Sequence, residues 1–134
     1  MDLGLKDATA VVVGGGRGMG LAAARCLADD AARVALVGRS RDVLDSAAAD
    51  LSERGSPDAI GIVADVADEH QARQVFDEIA NRWGGELNIL INTVGPAVQG
   101  GFEQLSDDQW RNAVDGGVLG MVHCVRSALP LLRR

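Results

Sequence analysis

The sequence predicts an α/β fold, in which a parallel sheet carries helices on both of its faces. Four short runs are rich in Val, Ile or Leu and show no polar alternation, which is typical of strands buried on both faces. Longer segments with apolar residues at helical spacing separate these runs. Because strand and helix alternate through the chain, the connections should be right-handed crossovers between parallel strands. The chain has 134 residues, the size of one domain, so we interpret residues 1–134 as a single domain.

Each element has its own signal in the sequence. The predicted strands are Thr9–Val13, Arg33–Val37, Ala59–Val63 and Leu87–Asn92. Apolar stripes predict helices around Leu21–Ala28, Val43–Leu51 and Ala72–Ile79. Two patterns that read as capping boxes, Asp68 to Gln71 and Ser106 to Gln109, mark helix starts. A final helical stretch is predicted from Gln109 to about Leu132.

Composition and charge exclude several classes of protein. An apolar share of 47% excludes a disordered chain. A formal charge of −6 argues against nucleic-acid partners and against an anionic membrane surface. We find no signal peptide, no run of membrane-spanning length and no metal-ligand spacing, which predicts a cytoplasmic protein without a metal site. Cys26 and Cys124 both fall in helical patterns, so we expect two buried, reduced thiols.

A cluster of glycines separates the first strand from the first helix. In the segment GGGRGMG, Gly14, Gly18 and Gly20 follow the spacing G-x-x-x-G-x-G. Glycines allow positive φ and a close approach of the backbone, and the helix N-terminus behind them favours a phosphate. A flexible turn that eases helix–strand packing is the alternative. The position between strand and helix favours a dinucleotide site whose pyrophosphate rests on Gly14, Gly16, Arg17, Gly18, Met19 and Gly20.

The end of the second strand indicates which dinucleotide would bind. An acid at this position holds the ribose hydroxyls in NAD sites, but here the strand runs into Arg39 and Ser40. Arg39, with Arg17 from the glycine loop, offers a charged fork suited to a 2′-phosphate. The alternative is that both arginines are solvated surface charges. Asp42 could also serve as the acid of an NAD site, which would favour NAD(H). The pair favours NADP(H) over NAD(H).

Taken in order, the motifs resemble the short-chain dehydrogenase/reductase family. The glycine loop is the first of them. The segment ADV resembles the stretch in which an Asp meets the adenine, here Asp65 followed by Val66. The segment INTVG resembles the family's N-N-A-G motif and would bring Asn92, Val94 and Gly95 to the cofactor. The resemblance implies a Rossmann-like sheet of order 3-2-1-4 and an oxidoreductase that moves hydride between NADP(H) and a carbonyl or alcohol substrate.

The sequence also departs from that family. Val13 replaces a Thr before the first glycine, Asn88 stands where an acid is expected, and the catalytic Asn falls on Gly117. Asp115 should be a poor substitute, because two positions along a helix point elsewhere. The family's proton donor is a Tyr with a Lys four residues later, but this chain has no Tyr and its only Lys is Lys6. We therefore assign no catalytic residue.

A family domain has about 250 residues, so the resemblance implies a cofactor-binding half that stops before a fifth strand. The fourth strand would then be an exposed apolar edge, and we expect self-association, as a homo-oligomer. Two alternatives remain open to the oxidoreductase: a non-catalytic nucleotide-binding module or relic, and an interaction protein that uses the open sheet edge.

Overall fold

We describe the protein from a computed structural model, which covers residues 2–95 and 98–133. The strands are β1 Thr9–Val13, β2 Arg33–Gly38, β3 Ala59–Val63 and β4 Ile89–Asn92. The helices are α1 Gly18–Asp29, α2 Arg41–Arg54, α3 Glu69–Trp83, α4 Asp107–Ala113 and α5 Gly120–Leu132. A π-helical segment, Val114–Leu119, joins α4 to α5 without a break.

The four strands form one parallel sheet in the order β3-β2-β1-β4, which confirms the predicted topology. The central strand β1 pairs with β2 and β4, so that Ala10 faces Val34 on one side and Ile89 on the other. Because all strands run the same way, the segments that follow them meet along one edge of the sheet. The glycine loop, the Arg39 segment, the Asp65 segment and the Asn92 segment are therefore neighbours.

Helices cover both faces of the sheet, as predicted. Along β1, Ala10 and Val12 pack into one core with α1 and α2, while Val11 and Val13 pack into the other with α3 and α5. All of β1 is buried. The double burial explains why Ala10 to Val13 are all apolar, rather than every second residue.

Polar side chains begin two of the helices. Ser106 and Gln109 form the predicted capping box, with each side chain bonded to the other residue's backbone. Asp68 also caps α3, by accepting from the Gln71 N–H. The prediction of a complete capping box was wrong here, because the Gln71 Oε1 accepts from the Asp65 N–H at 2.8 Å and not from the Asp68 N–H. Gln71 thereby fixes the turn that precedes α3.

Two predicted element bounds need correction. Strand β4 begins at Ile89 rather than Leu87, because the Leu87 N–H donates to the end of α5. The Asn88 N–H donates to the Thr9 carbonyl at 3.1 Å, and its side chain accepts from the Thr9 N–H at 2.9 Å. The last helical stretch begins at Asp107 and changes to π geometry in its middle, where Gly116 and Gly117 weaken the α-helical preference.

The two thiols differ in exposure. Cys124 is buried, and burial raises the pKa of its thiol to about 11. Cys26 is exposed, so the prediction of two buried thiols was wrong for it. It lies about 200° around α1 from the buried Ala24, since successive helical residues are about 100° apart. Both cysteines are free, as expected.

Across residues 2–95 and 98–133, every helix falls short of the length and apolar character that crossing a bilayer requires.

Candidate functional site

A cleft of about 1130 Å³ lies at the carboxyl edge of the sheet. Segments that follow all four strands line it, together with part of α4 and the π-helical segment. Nine of the predicted cofactor-binding residues line this cleft: Gly14, Gly16, Arg17, Arg39, Ser40, Asp65, Val66, Val94 and Gly95. A ligand in this cleft would therefore contact every loop that the sequence singled out.

Four predicted residues do not line the cleft. Gly18 and Met19 are exposed at the start of α1, and the Met19 side chain is 80% exposed. Gly20 is buried beneath the loop. Asn92 lies at the end of β4, and its side-chain Oδ1 accepts a hydrogen bond from the backbone N–H of Val94. These residues shape the cleft or its surroundings rather than forming its wall.

The glycine loop is compact, and packing accounts for most of its glycines. Gly14 has a φ of +79°, and a Cβ there would lie 2.6 Å from the Thr93 Oγ1. A Cβ on Gly20 would collide with the Gly14 carbonyl oxygen and lie 2.7 Å from the same hydroxyl. Gly18 has a φ of +55°, but a Cβ there would meet nothing within 4 Å. Close packing thus requires Gly14 and Gly20, whereas the left-handed backbone requires glycine at Gly18.

The N-terminus of α1 has no internal cap in the described part of the chain. The residue before the helix, Arg17, makes no side-chain capping bond, and the first turn contains no acidic residue. The first backbone bond into the helix is the Leu21 N–H to the Arg17 carbonyl, at 3.2 Å. The preceding N–H groups and the helix dipole are therefore available to an anion.

Two guanidinium groups face the cleft without a carboxylate partner. Arg17 and Arg39 are exposed, and neither forms an ion pair with any residue in 2–95 or 98–133. Arg41, in contrast, pairs with Asp45 and donates to the Gly61 carbonyl. Asp42 lies in the first turn of α2, where it complements the helix dipole. The two unpaired arginines leave positive charge at this end of the cleft.

Hydrogen bonds fix the turn between β3 and α3. The Ala64 N–H donates to the Gly38 carbonyl, and the Asp65 N–H donates to Gln71. One carboxylate oxygen of Asp65 accepts from the Ala67 N–H at 3.0 Å. Val66 is only 4% exposed. The turn is held in one conformation, with the exposed Asp65 at the cleft.

Thr93 is a site residue that the sequence reasoning missed. Its hydroxyl lies 2.9 Å from the Val13 carbonyl and 3.3 Å from the Gly14 carbonyl, so it joins the end of β4 to the glycine loop. Beside it, the Asn92 Oδ1 accepts from the Val94 N–H at 3.1 Å. The buried Nδ2 of Asn92 has no partner among the described residues. A polar residue directly after a buried strand was the signal that could have identified Thr93.

The end of α4 and the start of the π-helical segment contribute to the cleft. Asn112, Asp115 and Gly116 line it. Asn112 and Asp115 are three positions apart and share one helix face, so Asp115 points in a different direction from Gly117, as expected. Gly117 does not line the cleft, and a Cβ on it would meet nothing within 4 Å.

No group of three His, Cys, Asp or Glu residues in 2–95 and 98–133 is arranged to hold a metal ion. Of the two histidines, His70 is exposed and His123 bonds to the backbone of Val66. The groups that are present fit a dinucleotide, because the bare N-terminus of α1 can receive a pyrophosphate and the cleft reaches the segments after all four strands.

The family model described as "short chain dehydrogenase" matches residues 8–134. Among curated proteins, an uncharacterized oxidoreductase of Staphylococcus aureus (strain MW2) is 32% identical over 129 residues, which are 96% of this chain and 54% of that protein. The meso-2,3-butanediol dehydrogenase of Serratia marcescens is 34% identical over 122 residues, covering 91% of this chain and 47% of that protein. This chain spans about half the length of the curated relatives it matches.

Comparison with solved structures agrees with these sequence matches. L-sorbose reductase from Gluconobacter frateurii, in a complex with NADPH and L-sorbose, superposes with a TM-score of 0.92 at 28% sequence identity. The match covers 99% of this chain and 50% of that one. The shared region is therefore the whole sheet described above and the cleft at its carboxyl edge.

Proposed function

The chain belongs to the short-chain dehydrogenase family, and on that premise we propose that it binds NADP(H) for an oxidoreductase reaction. The reaction would transfer hydride between the cofactor and a carbonyl or alcohol substrate. The observation that carries the cofactor assignment is the pair of unpaired arginines, Arg17 and Arg39, beside the uncapped N-terminus of α1.

The strand order supports a proposed location for each part of the dinucleotide. The pyrophosphate would rest on the glycine loop and the N-terminus of α1, which follow β1 at the centre of the sheet. The 2′-phosphate would lie at Arg39 and Ser40, which follow β2. The adenine would lie one strand further, at Asp65 and Val66 after β3. The nicotinamide would extend the other way, towards Val94 and Gly95 after β4.

Specificity for the 2′-phosphate follows from charge. A planar guanidinium binds phosphate oxygens through two parallel hydrogen bonds. A carboxylate at the end of β2 would repel that phosphate, and the chain has Arg39 there instead. L-sorbose reductase, which superposes on this chain, was solved in complex with NADPH, and this supports the same choice.

When bound, the nicotinamide supplies the hydride chemistry, while the protein orients the cofactor and keeps water from its reactive face. This chain has no Tyr, and Lys6 precedes the first strand, so we assign no proton donor within it. The curated relatives are described as oxidoreductases and dehydrogenases, so the non-catalytic module is the less favoured alternative.

We also propose that the protein acts in the cytoplasm as a homo-oligomer. Five large apolar side chains lie exposed on the π-helical segment and α5, and they are Val114, Val118, Leu119, Met121 and Val125. Their burial between two copies would remove apolar surface from water. Light scattering at high protein concentration tests the proposal, and a monomer throughout the range would contradict it.

The cofactor preference is tested by titrating the chain with NADPH and with NADH while recording the fluorescence of the reduced nicotinamide. We expect NADPH to bind at least ten times more tightly, because only NADPH brings a phosphate to Arg39. Equal affinities, or tighter binding of NADH, would contradict the assignment.

A further inference from the structure

A histidine on α5 contacts the turn at which we place the adenine. The Nδ1 of His123 lies 2.8 Å from the Val66 carbonyl oxygen, although the two residues are 57 positions apart. A carbonyl can only accept, so Nδ1 must carry the proton and donate it. His123 therefore joins α5 to the Asp65–Val66 turn by a directional bond.

The same helix approaches that peptide at a second point. Gly120 lies three residues before His123, on the same face of α5. A Cβ on Gly120 would lie 3.3 Å from Val66 Cγ2 and 3.7 Å from the Val66 carbonyl carbon. These short separations show that α5 packs closely against the turn at Gly120 as well as at His123.

Three further hydrogen bonds hold the turn from the other side. Gln71 on α3 accepts from the Asp65 N–H, and the Asp65 carboxylate accepts from the Ala67 N–H. The Asp68 N–H donates to the Asp65 carbonyl. The Val66 carbonyl is the point at which α5 fixes the turn, so His123 sets the orientation of the peptide between Val66 and Ala67.

We propose that His123 is a positioning residue for adenine recognition. It holds the Asp65–Val66 turn in one conformation. In that conformation Val66 and the Asp65 carboxylate oxygen that is not bonded to the Ala67 N–H face the adenine base. This inference rests on the proposed function, since it needs an adenine dinucleotide in the cleft. His123 itself acts only through the turn and does not contact the ligand.

The test compares three variants by their affinity for NADPH and for its deamino analogue, in which hypoxanthine replaces adenine. His123→Leu removes the donor. His123→Asn keeps a donor near the position of Nδ1, and the exposed His70→Leu is the matched control. We expect the wild type, His123→Asn and His70→Leu to prefer NADPH over the deamino analogue by roughly three- to tenfold, the range of one hydrogen bond. In His123→Leu this preference should fall to about one, with NADPH binding weakened by a similar factor.

Retention of the full preference for NADPH in His123→Leu would overturn the inference, as would an equal loss in His123→Leu and His123→Asn. If His123→Leu does not fold, His123→Gln replaces it in the test. The glutamine amide reaches the position of Nε2 rather than Nδ1, so this variant also lacks the bond to the Val66 carbonyl. A merely structural role would lower the thermal midpoint of the variant and leave the preference between the two ligands unchanged.

A second measurement separates this inference from the proposed function. Amide hydrogen exchange of Ala67 and Asp68 in the unliganded chain should be faster in His123→Leu than in the wild type and restored in His123→Asn. If the wild type binds no NADPH, the proposed function fails, and unchanged exchange at these two amides overturns the positioning role independently. If the wild type binds NADPH normally but the variants do not differ, only the inference fails.

Discussion

Replacing Arg39 by Ala should weaken NADPH binding and leave NADH binding nearly unchanged. Arg39 is exposed, lines the cleft and has no carboxylate partner among the described residues, so its removal breaks no internal ion pair. Any loss of affinity therefore reports the contact with the ligand and not a disturbed fold.

The size of the effect follows from the exposure of the side chain. A hydrogen bond to a charged group contributes about 1.5–3 kcal/mol, and solvent screening at an exposed position places this one at the lower end of the range. We therefore expect an increase in the Kd of NADPH of about tenfold. The Kd of NADH should rise by less than about threefold, because NADH lacks the 2′-phosphate.

The assay is a titration of the wild type, Arg39→Ala and Arg73→Ala with both cofactors at low and high salt. Arg73 lies on α3 outside the cleft, and its removal changes the net charge by the same amount. The difference between wild type and Arg39→Ala should shrink as salt rises. Equal losses for NADPH and NADH, or an equal effect of Arg73→Ala, would refute the 2′-phosphate assignment.

Three further predictions concern the support of the cleft. Thr93→Val should lower the free energy of unfolding by about 0.5–1.5 kcal/mol, because the hydroxyl bonds to the Val13 and Gly14 carbonyls are lost while the backbone N–H of residue 93 still donates to Val13. Thr93→Ser should keep most of this stability, and equal denaturation curves would contradict the role of the hydroxyl. Gly20→Ala should lower the free energy of unfolding by about 1–3 kcal/mol through overpacking and should weaken NADPH binding. Gly117→Ala should do neither, because a Cβ there meets open space. Unchanged stability and affinity in Gly20→Ala would contradict the packing role of this glycine. The hydrogen bond from Arg82 lowers the pKa of the Asp58 carboxyl, so its stabilisation is present above the unfolded value of 3.8 and lost as pH falls through the lower folded value. Asp58→Asn should therefore be less stable than wild type at pH 7, the difference should shrink as pH falls below 3.8, and a difference that is independent of pH would contradict the ion pair's role.

Strand positions and the layered fold could be predicted because burial on both faces leaves a plain signal. Every residue of β1 is buried, and all of them after Thr9 are apolar, so the strand is hard to confuse with a loop. The start of β4 was less clear, since Leu87 is as apolar and buried as a strand residue but bonds to the end of α5. Composition alone cannot distinguish burial in a sheet from burial beside it.

The site was predictable where backbone chemistry restricts the residue type. Gly14 and Gly18 stand at positive φ, which favours glycine strongly enough to be read from the sequence. The place of Asp115 in the cleft wall was not predictable in this way, because the sequence does not show which face of the last helical stretch turns towards the carboxyl edge of the sheet. Thr93 acts through carbonyls of β1 and the glycine loop, about 80 positions away along the chain, and only the folded structure shows that contact.

The most direct test of the central claim is a calorimetric titration of the purified 134-residue chain with NADPH. The account predicts saturable binding with about one site per chain, and competition by 2′,5′-ADP, which carries the adenine and the 2′-phosphate. Absence of binding, in a sample shown by circular dichroism to be folded, would contradict the assignment of the cleft as a dinucleotide site.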